Sequence, residues 1–168
     1  MDRRLTLGII YGRDENWIAG SYYIENLVFA LKKQEKYKPP HIKVYSESEE
    51  NYHYLKNLSA YPEMSFVLVK DYQSLLDKFI NKVSYLFFNK HLIVKGIDRQ
   101  VDVLFPASDT YFFDKIKNKL YWIPDLQEKH FPKFFSKKEL LRRAKQHQLL
   151  IKRKSPIVFS SKDSSNDF

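Results

Sequence analysis

The sequence predicts a doubly wound α/β fold: a mainly parallel sheet with helices on both faces. Three observations carry this expectation. Short apolar runs rich in β-formers recur along the chain, stretches of helical periodicity separate several of them, and most of the runs lack the apolar–polar alternation of a strand with one wet face. Leu5–Tyr11 is the first strand, punctuated by glycine. After a loop, Ile24, Leu27, Val28 and Leu31 fall on one helical face that ends in the polar KKQEK run, and Pro39-Pro40 closes the unit. HIKVYS (His41–Ser46) is the second strand and SFVLVK (Ser65–Lys70) the third, with a polar, tyrosine-rich loop and a short helix between them over 47–58.

From Asp71 onward, Tyr72, Leu75, Leu76, Phe79, Ile80, Val83, Leu86 and Phe87 keep helical spacing over about four turns. VDVLF (Val101–Phe105) is a fourth strand stopped by Pro106, and Leu120–Ile123 a fifth stopped by Pro124. Ser136 and Glu139 form a capping box at the head of a basic helix. IVFS (Ile157–Ser160) is the sixth strand. The following SSKDSSNDF is rich in N-cap residues but gives the helix they would start no body, so the chain is expected to be one domain of a longer protein.

Composition narrows the function classes. The chain has 168 residues, 43% hydrophobic and 16% aromatic, with only 4 glycines, which describes a folding domain rather than a disordered or low-complexity segment. A domain of this length buries roughly 70% of the surface its unfolded form exposes. The absence of cysteine excludes disulfides, thiolate metal sites and a cysteine nucleophile. No histidine pair has metal-site spacing, so no metal or cofactor is expected. No apolar stretch approaches the roughly 20 residues that cross a bilayer, and a cytoplasmic protein, peripheral at most to the inner membrane face, is expected. The net charge of +9 favours an anionic partner, and nine Lys or Arg against the single Glu139 lie between Lys133 and Lys154. Lys137, Lys138, Arg142, Arg143 and Lys145 are the candidate contacts to an anionic acceptor or membrane, set against a merely solvated face. No motif for base readout is present, so nucleic acid is not an expected partner.

Ligands of parallel α/β sheets bind beyond the carboxyl ends of the strands, which singles out four places. In the loop YGRDENWIAGSYY, Gly20 sits where a ligand can approach backbone N–H groups at a helix start, with Trp17 and Tyr22 beside it as further substrate contacts; the alternative is a glycine needed only for a turn. The loop carries neither a dinucleotide nor a P-loop signature. Ser108 and Asp109 follow the fourth strand, where Asp109 either accepts from a polyol or caps a helix. Asp125, Gln127 and His130, stiffened by Pro124 and Pro132, combine a carboxylate, an amide and an imidazole. They suit a hydroxyl-rich ligand and a proton transfer by Asp125 or His130, or else a loop held by its own side chains. Ser160 and Ser161 bind a ligand or cap a helix.

The segments GIIYGRDENWIAGSYYIENLVFAL, DVLFPASD, YWIPDLQEKHFPKFFSKKEL and IVFSSKDSSNDF resemble the N-terminal half of bacterial GT-B glycosyltransferases of the group 1 kind, family four. The likeness is strongest in IPDLQEKHFPKFFS, while Ala19-Gly20 stands where many relatives have a Gly-Gly pair. The resemblance implies a Rossmann-like domain, the acceptor side of an enzyme that moves a sugar from a nucleotide-sugar to a saccharide or lipid-linked acceptor in cell-surface polysaccharide synthesis. It implies retention of configuration without a bound metal. It places Gly20 toward the donor phosphates, Asp125, Gln127 and His130 in the cleft near the transferred sugar or acceptor hydroxyl, and Ser160 and Ser161 near a junction with a donor-binding C-terminal domain. Residues 1–168 alone are then expected to show little or no transferase activity. The competing expectation is a non-enzymatic α/β module that binds an anionic polymer or membrane through the basic segment.

Overall fold

The computed structural model describes residues 3–13, 18–88, 91–95, 97–108 and 110–168. Trp17 and Asp109 therefore lie outside the described residues. Chain contacts divide the protein into two compact units, Met1–Asn118 and Lys119–Phe168.

The first unit is an α/β layer structure on a four-stranded parallel sheet. Strands β1 (Thr6–Ile10), β2 (His41–Ser46), β3 (Met64–Leu68) and β4 (Val103–Phe105) lie in the order β3-β2-β1-β4. Every pairing is parallel, with Gly8 opposite Lys43 and Leu104 and Ile9 opposite Val44 and Phe105. The register sorts the side chains: Ile9, Ile42, Val44 and Phe105 share one face, while Gly8, Ile10, Tyr45 and Leu104 share the other. Helices α1 (Ile18–Lys33) and α2 (Glu49–Ser59) cover the first face. They bring Tyr23 to 6.2 Å from the Phe105 ring and stack Tyr52 on Phe66 at 5.3 Å. Helix α2 is longer than the short helix its sequence suggests because both ends are satisfied. The Ser48 side chain accepts from the Glu50 N–H, Glu49 and Glu50 complement the dipole of the first turn, and Ala60 closes the last turn in the left-handed region at φ 45°.

The second face departs from expectation. It is covered by the short stretches on either side of β4, where Ile97, Phe113 and Ile116 pack with Tyr45, Val69 and Leu104. The Tyr45 hydroxyl donates to the Asp98 carbonyl at 2.6 Å, and its ring meets Phe113 edge-on at 5.4 Å. Gly8 is required beneath them: a Cβ there would lie 2.9 Å from Tyr45 Cε2 and 3.0 Å from Leu104 Cδ1.

Helix α3 (Leu75–Phe88) forms where the periodicity places it, but with its polar side inward. Asp77, Asn81 and Ser84 are its buried residues, whereas Leu75, Leu76, Phe79, Leu86 and Phe87 stand in solvent. Hydrogen bonds hold the inner side. Asn81 donates to the Ile93 carbonyl at 2.7 Å and accepts from its N–H at 2.9 Å, Asp77 pairs with Lys95 at 2.6 Å, and Ser74 and Asp77 cap the start reciprocally.

The second unit pairs β5 (Tyr121–Ile123) with β6 (Ile157–Phe159) in parallel through the crossover helix α5 (Lys137–Lys152). The Ser136–Glu139 capping box starts α5 as expected. A short α4 (Gln127–His130) and a final α6 (Lys162–Asp167) complete it, with Ser161 as the N-cap of α6. Leu126, Tyr121, Ile123 and Leu150 are its buried apolar residues.

Candidate functional site

In the first unit, β1 continues to β2 on one side and neighbours β4 on the other, so the loops beyond β1 and β4 diverge and leave a crevice at their carboxyl ends. A cavity of about 350 Å³ occupies it, within the range of small-molecule sites. Ile10, Val69, Phe112 and Phe113 give it apolar walls. Each strand end then adds polar groups.

The loop after β1 contributes Tyr11, Gly12 and Arg13. The Tyr11 N–H extends the ladder to the Tyr45 carbonyl at 3.0 Å, and Ser21 of α1 donates to the Gly12 carbonyl at 3.0 Å, tying this loop to the start of the helix. The Tyr11 hydroxyl donates to buried Glu25 Oε1 at 2.7 Å. Burial first, and the Glu25 carboxylate second, push that hydroxyl far above the ordinary tyrosine value, so it acts as a fixed donor and not as an acid. The Arg13 guanidinium lies 4.0 Å from the centre of the Tyr54 ring, which holds a cation at the cavity. From β2 and α2 come Ser46, Glu47 and Asn51, with the Asn51 amide 3.5 Å from Ser46 Oγ. From the segment after β4, which begins at the cis Phe105–Pro106 bond, come Ser108 and Thr110, their hydroxyls 3.2 Å apart.

Hydroxyls, an amide, a carboxylate and a guanidinium between aromatic walls suit a polyhydroxylated or anionic ligand. Of the sequence-predicted residues, Ser108 lines this cavity. Gly20 is buried in the first turn of α1, one residue before the Ser21 that binds the loop, and Tyr22 is exposed on that helix. Sequence reasoning missed Arg13, Ser46 and Asn51. The rule that singled out Ser108 applies equally to the residues at and beyond the carboxyl ends of β1 and β2 and is the signal that finds Arg13 and Ser46, whereas Asn51, inside α2, is brought in by the helix that follows.

In the second unit the WIPDLQEKH stretch is laced by its own hydrogen bonds. Asp125 Oδ1 accepts from the Gln127 N–H at a long 3.4 Å, and Gln127 itself is exposed. His130 Nε2 is 2.6 Å from Asp167 Oδ2, and Lys129 bonds the Asp167 carbonyl. Ser161 accepts from the Ser164 N–H at 3.0 Å as a helix cap, Ser164 donates to the Pro124 carbonyl at 3.1 Å, and the Trp122 indole donates to Ser160 at 2.9 Å. Beneath this loop Glu128 is buried, with Arg143 Nη1 at 3.1 Å and His147 Nδ1 at 4.0 Å. Arg143 also lies over the Phe135 ring at 4.9 Å, which engages it inside the unit, whereas Lys137, Lys138, Arg142 and Lys145 of α5 are exposed.

Fold and cavity together define the first unit as a parallel α/β protein with a ligand-sized cavity at the carboxyl edge of its sheet. Comparisons with protein-family models, with curated proteins and with solved structures find no match to this chain.

Proposed function

We propose that this chain is the acceptor-side, N-terminal domain of a GT-B glycosyltransferase, with a saccharide or lipid-linked saccharide bound in the β1–β4 cavity. The observation that carries this reading is the cavity itself, where Ser46, Asn51, Ser108 and Thr110 bring hydroxyl and amide groups to the carboxyl edge of a parallel sheet between aromatic walls. Such groups hydrogen-bond sugar hydroxyls, and Arg13 supplies the charge for a phosphate or acidic substituent. In the second unit the same reading assigns Asp125 and His130 to the reacting sugar, with Asp167 orienting the imidazole of His130. It also assigns the exposed cations of α5 to an anionic acceptor or membrane. The nucleotide-sugar donor is assigned mainly to a C-terminal domain. Transfer then breaks the bond between the anomeric carbon and the diphosphate oxygen, joins that carbon to the acceptor oxygen, and releases the nucleoside diphosphate together with the acceptor hydroxyl's proton.

The test is saturation-transfer NMR on the full chain with a panel of neutral, phosphorylated and acidic saccharides. At least one is expected to bind, and Asn51→Ala should weaken it by about tenfold, the equivalent of roughly 1.4 kcal/mol. Failure of every saccharide to bind, or binding indifferent to Asn51→Ala and Arg13→Ala, would refute the proposal.

A further inference from the structure

Helix α3 presents the wrong side to water, and the chemistry around it identifies what covers that side. Leu75 is 87% exposed, Phe79 65% and Phe87 77%. At 150–250 Å² for a whole aromatic side chain, the two phenylalanines alone expose roughly 200–350 Å². Leu75, Leu76 and Leu86, also exposed, enlarge this toward the roughly 300–600 Å² of the largest apolar patch on a typical monomer. At 100° per residue the apolar positions 75, 76, 79, 83, 86 and 87 fall within one third of the helix circumference. Asp77, Asn81 and Ser84 lie opposite and are buried, with Asn81 bonded to Ile93 and Asp77 to Lys95. The helix cannot roll its apolar stripe inward without breaking those bonds.

The rim of the stripe is basic. Residues 70–95 contain five lysines and two aspartates. Both aspartates are engaged, Asp71 with Lys78 at 2.9 Å and Asp77 with Lys95 at 2.6 Å. Lys78 and Lys82 follow one edge of the stripe, and exposed Tyr72 precedes the helix. A symmetric contact between two copies would bring the Lys82 edges together with Asp71 and Asp77 already held by Lys78 and Lys95, which disfavours self-association. A surface that is apolar within and negatively charged at its boundary satisfies both the stripe and its rim.

We infer that α3 is a lipid-facing anchor, which lies in the plane of an anionic membrane with Leu75, Phe79, Leu86 and Phe87 among the acyl chains and Lys78 and Lys82 at the headgroups. Its 14 residues span about 21 Å, short of the roughly 30 Å hydrocarbon core. Among the described residues no helix is long and apolar enough to cross a membrane, so the contact is in-plane. The inference is independent of the saccharide reading and of the charged α5.

The experiment is flotation of the full chain with phosphatidylcholine vesicles, with and without about a third of phosphatidylglycerol. The wild type is expected to float with the anionic vesicles, and Phe79→Glu/Phe87→Glu to partition at least tenfold less. Because both side chains are exposed, the double variant should keep the circular dichroism and melting temperature of the wild type. Quenching of Phe87→Trp by brominated lipid would report insertion directly. Three outcomes overturn the inference: no flotation of the wild type; equal flotation of the double variant, including the case in which only Lys138→Glu/Arg142→Glu on α5 abolishes it; or a wild-type dimer that the double variant dissolves without any lipid binding. A double variant that no longer floats yet still binds saccharide separates this inference from the proposed function.

Discussion

Replacing Asn81 by alanine tests the orientation of α3 through the sign of the effect. Asn81 is 3% exposed, and its amide exchanges two hydrogen bonds with the backbone of Ile93. Each bond contributes about 0.5–1.5 kcal/mol net. The Ile93 carbonyl keeps a second donor, Gln73 Nε2 at 3.0 Å, but the Ile93 N–H loses its side-chain acceptor, adding about 1–3 kcal/mol if water does not replace it. Alanine's better helix propensity returns about 0.6 kcal/mol. Asn81→Ala should therefore destabilise the first unit by about 1–5 kcal/mol. Urea unfolding followed by circular dichroism measures this, and hydrogen exchange should show lost protection at the Ile93 amide. Asn81→Asp should fall between, since a carboxylate still accepts from the Ile93 N–H but faces the Ile93 carbonyl with like charge. Were the apolar stripe turned inward, Asn81 would face water, and Asn81→Ala would stabilise the protein by about 0.6 kcal/mol. A stabilising result refutes the reasoning.

Two further outcomes follow from packing and protonation. Gly8→Ala should destabilise the sheet by about 1–3 kcal/mol in urea titrations, because Tyr45 Cε2 lies 2.9 Å from the added Cβ and that ring is fully buried and pinned through its hydroxyl; unchanged stability would mean the ring can move aside. In the second unit, burial pushes the His147 imidazole below its ordinary value against the smaller attraction of Glu128, with Lys129 and Arg143 adding in the same direction as burial. The unfolded chain then binds the proton more readily than the folded one. The stability this contributes is complete above about pH 6.5 and is lost as the pH falls through the folded value, at no more than about 1.4 kcal/mol per pH unit. Denaturation monitored by Trp122 fluorescence should show this slope in the wild type and not in His147→Gln.

Six strands and the α5 capping box were legible in the sequence because each rests on a local rule. Buried parallel strands are continuous apolar runs, and a serine three residues before a glutamate at the head of a helix satisfies two free N–H groups. Strand ends were less legible: HIKVYS keeps its predicted bounds, but β4 starts two residues later than VDVLF suggests, since Asp102 turns its carboxylate back to the Thr6 N–H at 2.7 Å. The candidate cavity was half legible. Topology marks the residues beyond strand ends, but which of them converge depends on long-range order, such as the Ser21 to Gly12 bond that fixes the Arg13 loop beside α1.

The face of α3 was not legible at all, and the reason is physical. Helical periodicity states which residues share a side, not which side meets the protein, and burial of the apolar stripe is only the usual resolution of that ambiguity. Here Ile97, Phe113 and Ile116, and not the stripe, pack on the second face of the sheet against Tyr45, Val69 and Leu104. The backbone of the segment that follows α3 still needs partners for its polar groups, and Asn81 supplies them at Ile93, while Asp77 pairs with the Lys95 ammonium. Satisfying that backbone fixes the polar side inward and leaves the phenylalanines outside, where a second apolar phase would complete what the fold leaves open. The same residues that make α3 anomalous for a protein in water are those that suit it to a membrane surface, so Asn81→Ala and Phe79→Glu/Phe87→Glu probe the two sides of one arrangement: the first should cost stability without lipid, the second should cost lipid binding without stability.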